Sequence, residues 1–155
     1  YSQVNPLLFA RRFYPHLAAR RAGRPIPLQR LRRHLYNMER RLGVVVGEGV
    51  GGVATPLTAR STWADFMSGF SIPMTVLVSS PDVGTLNHTL MSLEYLSRRK
   101  IRCQFLVLSK YESENIRHRE NLRELSRLTG LCVFVCPRGS GLIRGNFVSK
   151  LLGGC

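Results

Sequence analysis

The feature that most constrains the fold is a set of three short apolar runs that alternate with helix-type patterns. The runs are IPMTVLVSSP from Ile72, CQFLVL from Cys103 and CVFVC from Cys132. Continuous apolar runs of this length suit strands that are buried on both faces, as in a parallel sheet. Because parallel neighbours need a crossover connection, usually a helix, the alternation predicts an α/β fold with a doubly wound, mainly parallel sheet.

Three helix patterns accompany these runs. Leucine and methionine recur at spacings of three and four over residues 27–42, and a second pattern covers residues 84–99. A third, strongly charged pattern covers residues 115–128 and ends at Gly130, which fits a C-terminal cap. A short helical turn is predicted at 16–21 and another short helix at 141–152. The side chains predicted to face inward on the third helix are Ile116, Leu122, Leu125 and Leu128.

The stretch VVVGEGVGGVATP, residues 44–56, combines a β-branched run with one carboxylate set among glycines. We predict a strand at residues 44–46, followed by a turn. A backbone free of side chains suits the place where a sheet presents the carboxyl ends of its strands to a ligand. Glu48 is therefore the centre of a candidate phosphate and metal site. The alternative, which we favour, is a structural role in which Glu48 caps backbone N–H groups.

The positive charge of the chain is high and concentrated. The 155 residues carry 23 Lys and Arg against 9 Asp and Glu, a formal net charge of +14. Ten arginines and one acid, Glu39, fall within the first 42 residues, which gives that part +9. Such a surface attracts polyanions, and Arg can bind phosphate through two parallel hydrogen bonds. RNA is therefore the predicted partner; the alternative is an arginine-rich codon bias without a binding role.

The predicted RNA contacts come from a basic arm, residues 1–25, and from the helix that follows it. These arginines would contact phosphates, mostly without reading sequence. Aromatic side chains nearby, such as Tyr36 and Trp63, would either stack on bases or belong to the core. The predicted RNA-binding residues are Arg11, Arg12, Arg20, Arg21, Arg24, Arg30, Arg32, Arg33, Arg40 and Arg41.

The cysteines, the histidines and the hydropathy argue against a CxxC metal or redox site, a catalytic triad and a membrane-spanning chain. The four cysteines, Cys103, Cys132, Cys136 and Cys155, include no CxxC pair, so we expect free thiols in a reducing compartment. His16 and His88 have no neighbouring acid and nucleophile that would form a catalytic triad, and the other two histidines are predicted to be solvated. No apolar run reaches the roughly 18 residues that a bilayer crossing needs, so a membrane-spanning chain is not expected. The two histidines predicted to be solvated are His34 and His118.

Several segments, in their order and spacing, resemble one known family. NPLLFARRFYPHLAARRAGRPI is similar to the family's Asn-Pro and Ser-Pro-His-x-Ala-Ala segments, and GEGVGGVATPL to its Glu-Gly-Ala-Gly-Gly stretch with the following Pro-Leu. WADF is similar to an Ala-Asp-Trp/Leu segment, and IPMTVLVSSPDVGTLNHTL to a Leu-Pro-Val-Ile-Leu-Val strand with a Gly-x-Ile-Asn-His-x-Leu helix start. The family is dethiobiotin synthetase, an ATP- and magnesium-dependent ligase of biotin synthesis with a P-loop NTPase-like fold. The resemblance runs almost end to end, and we predict a single domain over residues 1–155, with the arm at 1–25 and the α/β core at 26–155.

The resemblance implies positions for an ATP and substrate site. It makes Glu48 a magnesium ligand, and it makes the neighbouring glycines the residues that let backbone N–H groups approach the phosphates and the substrate carbamate. Asn87 would begin a helix near the diamino acid substrate and the dimer interface, and Pro137 would lie near the adenine ring. Where the family has an adenine-reading asparagine, this chain has Ser109 followed by Lys110. The implied site positions are Glu48, Gly49, Gly51, Gly52, Asn87, Ser109 and Pro137.

The chain also departs from the family. No GxxxxGK[ST] phosphate-binding loop occurs in the 155 residues, and Tyr14 replaces the serine of the Ser-Pro-His segment. The family has that loop and further strands ahead of the matched segments, so the sheet is expected to lack its N-terminal strands. Catalysis of phosphoryl transfer depends mainly on positioning the phosphates, so loss of the loop would lower the rate by many orders of magnitude.

Two main interpretations follow. The favoured one is not an enzyme: a structural, mitochondrial ribosomal protein derived from a dethiobiotin synthetase, located in the mitochondrial matrix, with a vestigial ATP site and no catalytic residue, metal or cofactor. Its partners would be rRNA and neighbouring ribosomal proteins. The alternative is a fragment or subunit of an active synthetase that uses ATP and Mg, with its P-loop upstream of Tyr1 or on another chain. A third interpretation is a homodimeric metabolic-interaction protein that keeps the family's dimer face.

Overall fold

The computed structural model describes residues 4–10, 13–72 and 74–140. Its backbone contacts divide the chain into two compact units, residues 1–70 and 71–155, and each unit is described by itself. The RNA-binding positions Arg11 and Arg12 and the short helix expected at 141–152 lie outside the described residues. One domain over residues 1–155 stays a prediction.

The first unit contains three helices, α1 (Pro15–Arg21), α2 (Leu28–Leu42) and α3 (Trp63–Met67). α2 confirms the helix predicted over residues 27–42. It ends at Gly43, whose φ of 75° is a conformation that glycine adopts most easily. α1 confirms the predicted helical turn, but it is more than part of a basic arm. Its Ala18 and Ala19 are buried, and the backbone N–H of His16 donates to the carbonyl of Pro56 at 3.2 Å.

One face of α2 packs against aromatic residues of α3 and the segment that follows it. The Arg32 guanidinium lies over the rings of Phe66 and Phe70, 5.8 and 5.4 Å from their centroids. The ring centroids of Tyr36 and Phe70 are 5.3 Å apart. Arg32 and Tyr36 are four residues apart and therefore share a face of the helix. These aromatic rings make intramolecular contacts, which favours the core interpretation over base stacking.

The strand predicted at residues 44–46 is not formed. The segment has no regular secondary structure, and Val44 and Val46 are 77% and 93% exposed. A strand is stabilised by backbone hydrogen bonds to a neighbouring strand, and no strand in the described part of the chain pairs with this segment. β-branched residues alone therefore do not make a strand here.

The second unit alternates strands and helices: β1 (Val76–Ser79), α4 (Thr85–Ser97), β2 (Phe105–Tyr111), α5 (Ile116–Thr129) and β3 (Cys132–Pro137). The strands form one sheet in the order β1-β2-β3, and both pairs are parallel. The predicted alternation is confirmed. The fold is α/β with a parallel sheet, and it is consistent with a P-loop NTPase-like fold.

Both faces of the sheet are apolar, and β2 is buried on each of them. Leu106 and Leu108 pack with Leu125 of α5 on one face, and Phe105 and Val107 pack on the other. Both crossovers step in the same direction along the sheet, so right-handed connections place α4 and α5 on the same face. A strand covered on both sides explains why the run CQFLVL shows no apolar–polar alternation.

The ends of α5 follow the sequence prediction more closely than its inward face does. Gly130 has a φ of 64° and caps the helix. Leu125 is buried and Leu122 is half-buried, but Ile116 is 67% exposed and Leu128 is also exposed. At 100° per residue, Ile116 lies on the opposite side of the helix from Leu125, so the prediction that it faces inward is wrong.

The cysteines within the described residues form no disulfide. Cys103, Cys132 and Cys136 are free thiols, and burial raises the pKa of the Cys103 thiol. Cys155 lies outside the described residues. None of the helices that the structure describes is both long enough and apolar enough to cross a membrane.

Candidate functional site

The glycine-rich segment forms an exposed turn in the first unit. Gly51 has a φ of 77°, and a Cβ built there would lie 2.5 Å from Oγ1 of Thr55. That hydroxyl oxygen accepts the N–H of Gly52 at 2.8 Å, and the N–H of Thr55 donates to the carbonyl of Gly52 at 2.9 Å. Glycine is therefore required at position 51 by both its backbone angle and its neighbour. At Gly52, by contrast, a Cβ would have no heavy atom within 4 Å.

α3 anchors the end of this turn. Thr62 and Asp65 form a capping box: the Thr62 hydroxyl oxygen accepts the N–H of Asp65 at 3.3 Å, and the Asp65 carboxylate accepts the N–H of Thr62 at 2.8 Å. The N–H of Trp63 donates to the carbonyl of Thr55 at 3.0 Å. The spacing Thr-x-x-Asp is the sequence signal for this cap, and the sequence analysis did not use it.

Glu48 and Gly49 lie on this turn beside Trp63. A Cβ built at Gly49 would lie 3.7 Å from the indole ring, which is ordinary contact distance. The Glu48 side chain is exposed. Within the described residues its carboxylate makes no hydrogen bond, which differs from the favoured role in capping backbone N–H groups.

The chemistry of Glu48 fits a magnesium–nucleotide complex. Magnesium prefers oxygen ligands, and on a nucleotide it takes one or two protein carboxylates together with phosphate oxygens and water. An exposed carboxylate on a turn of small residues can supply one such ligand. In the parts of the chain that the structure describes, no group of three or more His, Cys, Asp or Glu side chains is placed to hold a metal by itself.

The carboxyl ends of the strands form a second polar region, in the second unit. Open α/β sheets bind ligands outside this edge. Ser79 ends β1, and its hydroxyl lies 3.0 Å from Oγ1 of Thr85 and 3.0 Å from Oγ1 of Thr89. Both threonines are buried in α4, so these hydrogen bonds fix the end of β1 to the helix that follows it.

Ser109 and Pro137 lie close together at this edge. Ser109 pairs in register with Cys136, and Tyr111 pairs with Pro137, because β2 has an irregularity between Ser109 and Tyr111. Lys110, between Ser109 and Tyr111 in the chain, is exposed and has a φ of 60°. A left-handed conformation costs about 1–2 kcal/mol for a residue with a Cβ, and bulges and such strain cluster at functional sites. The structure thus brings together two of the implied ATP-site positions.

The implied site positions are divided between the two units. Glu48 and its glycines belong to the first unit, whereas Ser109, Pro137 and Asn87 belong to the second. Asn87 is exposed in the first turn of α4. That helix begins after Gly84, which has a φ of 91°, and no side chain caps it.

A buried histidine is the main residue that the sequence analysis missed. His118 of α5 is 1% exposed, so its predicted solvated state is wrong. Its Nδ1 accepts the backbone N–H of Glu112 at 3.0 Å, and its Nε2 lies 3.3 Å from Oδ1 of Asp82. Helical spacing indicates its burial, because His118 lies four residues before Leu122 and seven before Leu125, on the inward face of the helix.

Charged groups near His118 connect the loops that follow the strands. The Ser80 hydroxyl, and then His118, hold the pKa of the Asp82 carboxyl below its ordinary value. Glu112 forms an ion pair with Arg138, which follows β3. Polar contacts therefore link the segments that leave all three strands.

The predicted RNA-binding arginines separate into two groups. Arg32 is half-buried against aromatic rings, and its Nη2 donates to the carbonyl of Phe66 at 3.4 Å. The others in the described segments are exposed and form no ion pair there, although Arg21 lies over the Phe13 ring. By contrast, Arg123 and Arg127 of α5 pair with glutamates of their own helix. The exposed members are Arg20, Arg21, Arg24, Arg30, Arg33, Arg40 and Arg41.

Comparison with known proteins gives matches to one family. The family model described as "AAA domain" matches residues 1–136. The chain is similar to the ATP-dependent dethiobiotin synthetase BioD of Chlorobaculum tepidum, with 38% identity over 122 residues, 77% of this chain and 50% of that protein. Proteins of the same name from Legionella pneumophila and Clostridium botulinum are 33% and 26% identical, over 79% and 86% of this chain and 58% and 60% of their own length. The chain thus spans about half the length of the curated relatives it matches.

These relatives correct the functional predictions. All three are named as ATP-dependent synthetases, which contradicts the prediction that the chain is not an enzyme. The predicted absence of a cofactor has no support, because the shared name includes ATP. The matches offer no support for a ribosomal, mitochondrial or RNA-binding role.

Proposed function

Because the chain belongs to the dethiobiotin-synthetase-like family of P-loop NTPase proteins, we propose that it acts as part of an ATP- and magnesium-dependent dethiobiotin synthetase. The observation that carries the proposal is the exposed turn at Glu48, whose shape depends on glycine at position 51. This chain has no GxxxxGK[ST] sequence and matches about half of each relative. In the proposal, the phosphate-binding loop is therefore supplied by residues other than these 155.

The residues of the turn would divide the work of holding the nucleotide. Glu48 would hold magnesium through a carboxylate oxygen, and the metal would neutralise charge on the ATP phosphates. The glycines beside it leave room for phosphate oxygens to approach the backbone. Trp63 and the capping box of α3 would keep the turn in place, because the backbone N–H of Trp63 donates a hydrogen bond to the carbonyl of Thr55.

The strand-end region of the second unit would take part in nucleotide binding. Ser109 and Pro137 lie on adjacent strands at the edge where open α/β sheets bind ligands. The exposed Lys110 beside them adds a positive charge that attracts an anion. These three residues are proposed as nucleotide contacts of the second unit, considered by itself.

The experiment measures dethiobiotin formation and magnesium–nucleotide binding separately. The full product of the gene that encodes these residues is incubated with diaminopelargonic acid, bicarbonate, ATP and magnesium, and dethiobiotin is quantified. In parallel, the same protein is titrated with Mg-ATP while the fluorescence of Trp63, the one tryptophan of these 155 residues, is recorded. The indole lies beside this turn, since a Cβ built at Gly49 would be 3.7 Å from it, and a complex at Glu48 is therefore expected to change the emission.

Glu48→Gln should abolish most of the activity and weaken Mg-ATP binding by about tenfold or more, since it removes the charged ligand. Glu39→Gln, an exposed carboxylate on α2 of the same unit, is the matched control and should leave both unchanged. Absence of ATP-dependent dethiobiotin formation by the full gene product would refute the proposal. If the two substitutions had equal effects, Glu48 would not be a ligand in the Mg-ATP site.

A second candidate function, RNA binding, is favoured by one observation on α2. At 100° per residue, the arginines at positions 30, 33, 40 and 41 fall within an arc of about 100° that extends along about 16 Å of helix. Arg40 and Arg41 have no acidic partner among the described residues, whereas Arg123 and Arg127 do. An unneutralised basic face of this length suits a phosphate backbone.

The matched test compares two double variants in binding labelled single-stranded RNA over a series of salt concentrations. Arg40→Gln with Arg41→Gln should reduce the slope of log affinity against log salt by about 1.4, at roughly 0.7 per phosphate contact. Arg123→Gln with Arg127→Gln should leave the slope unchanged. Identical slopes for both variants, or no binding by the unmodified chain, would exclude this function. Ribosomal partners, a mitochondrial location and a homodimer stay predictions.

A further inference from the structure

His118 holds two different loops through its two ring nitrogens. The ring is almost fully buried, and the Tyr111 ring centroid lies 5.8 Å away. One nitrogen contacts Glu112, in the segment after β2, and the other contacts Asp82, in the segment after β1. We call these three residues the His118 bridge.

The contacts determine which nitrogen of the neutral ring carries the proton. The backbone N–H of Glu112 is a donor, so Nδ1 must present its lone pair to it. The proton of a neutral imidazole is then on Nε2, which donates to the Asp82 carboxylate. The bridge therefore needs a side chain that accepts at one end and donates at the other.

Further contacts extend the bridge to the rest of the strand-end region. The amide of Asn121, also on α5, donates to the carbonyl of Pro81 at 2.8 Å, beside Asp82. Arg138, after β3, forms an ion pair with Glu112, and its backbone N–H donates to the carbonyl of Tyr111 at 3.1 Å. α5 thus holds the segment after β1 against the segment after β2, and Arg138 adds the third.

We propose that His118 is a positioning residue, which fixes the segments after β1 and β2 relative to each other and thereby sets the geometry of the ligand-binding edge of the sheet. The proposal rests on the proposed function, because the ligand that uses this edge is ATP. His118 itself is buried and does not touch the ligand; it acts through Asp82 and Glu112. The hydrogen bonds of Ser79 to α4 hold the start of the same segment, so only its far end depends on His118.

Two substitutions separate the two ends of the bridge. In His118→Asn, the side-chain amide oxygen replaces Nδ1, so the bond to the N–H of Glu112 is kept and the contact with Asp82 is lost. In His118→Gln, the amide nitrogen replaces Nε2, so the contact with Asp82 is kept and the acceptor for Glu112 is lost. His34→Gln on α2, in the other unit, is the control for replacing a histidine.

The first readouts do not need an active enzyme. In His118→Gln, the backbone amide of Glu112 should exchange with solvent about tenfold faster, the effect of losing one hydrogen bond to a buried partner. In His118→Asn that amide should stay protected, while the carboxyl pKa of Asp82, followed by NMR, should rise toward its ordinary value. Unchanged exchange in His118→Gln, or an unchanged Asp82 titration in His118→Asn, would overturn the bridge.

The second readout is kinetic and tests positioning in the active protein. Both His118 variants should raise KM for ATP by about tenfold with kcat changed by less than about twofold, whereas His34→Gln should change neither. If a His118 variant does not fold, Asp82→Ala tests the same claim from the exposed end of the bridge. A wild-type KM for ATP in Asp82→Ala would then overturn the positioning role. If the unmodified protein makes no dethiobiotin, the proposed function is wrong. The hydrogen-exchange and Asp82 titration results still test the His118 bridge, because they do not depend on activity.

Discussion

Gly51→Ala tests whether the turn at Glu48 depends on glycine as the geometry indicates. Alanine at a φ of 77° costs about 1–2 kcal/mol through its Cβ. The new methyl group would also lie 2.5 Å from the Thr55 hydroxyl, which must move and give up the hydrogen bond from Gly52, about 0.5–1.5 kcal/mol. The free energy of unfolding should therefore fall by about 1.5–3.5 kcal/mol.

Two other glycines of the same unit separate these contributions. Gly23 has a φ of 60°, but a Cβ built there would have no heavy atom within 4 Å. Gly23→Ala should therefore lower the free energy of unfolding only by the backbone cost of about 1–2 kcal/mol. Gly52 has neither feature, so Gly52→Ala should be neutral or stabilise the protein by about 0.4–1 kcal/mol through the unfolded state. The unfolding of this unit in urea can be monitored through the fluorescence of Trp63, which lies in it. The reasoning is refuted if Gly51→Ala is as stable as wild type, or if Gly52→Ala destabilises as much.

Three further predictions concern the core, a helix cap and pH. Leu125→Ala should lower the free energy of unfolding by about 2–5 kcal/mol, and the exposed Leu128→Ala by less than about 1 kcal/mol, measured by urea denaturation; equal losses would contradict the core assignment. Thr62→Ala should lower the free energy of unfolding by about 1 kcal/mol in the same assay, because it removes the α3 cap. Because the folded pKa of Asp82 is lowered, its contribution to stability is complete above the unfolded pKa of about 3.9 and is lost as pH falls through the lower folded value. An NMR titration in which Asp82 has an ordinary or raised pKa would contradict this.

The alternation of apolar runs and helices was sufficient to predict the second unit. Its three strands and two helices lie where the patterns place them, because a strand buried on both faces has a distinctive sequence. The segment at residues 44–46 has the same β-branched character but is not a strand. Pairing depends on a neighbour elsewhere in the chain, and local composition carries no information about that neighbour.

The candidate site was predictable in part. The glycines around Glu48 marked a turn, and glycine is indeed required at position 51. His118 and Arg32 were misjudged because charge or polarity was taken to mean exposure. Helical spacing places His118 in line with Leu125, and Arg32 in line with Tyr36, so periodicity was the better guide at both positions.

The order in which the second unit folds follows from its parallel pairing. Val76 pairs with Phe105, 29 positions along the chain, and Phe105 with Cys132, 27 positions further. With no hairpin between them, each pairing must close a loop that contains an entire helix, and loop closure of this kind slows folding. α4 and α5 should therefore form before the strands meet, and substitutions that weaken either helix should reduce the refolding rate in stopped-flow experiments more than they raise the unfolding rate.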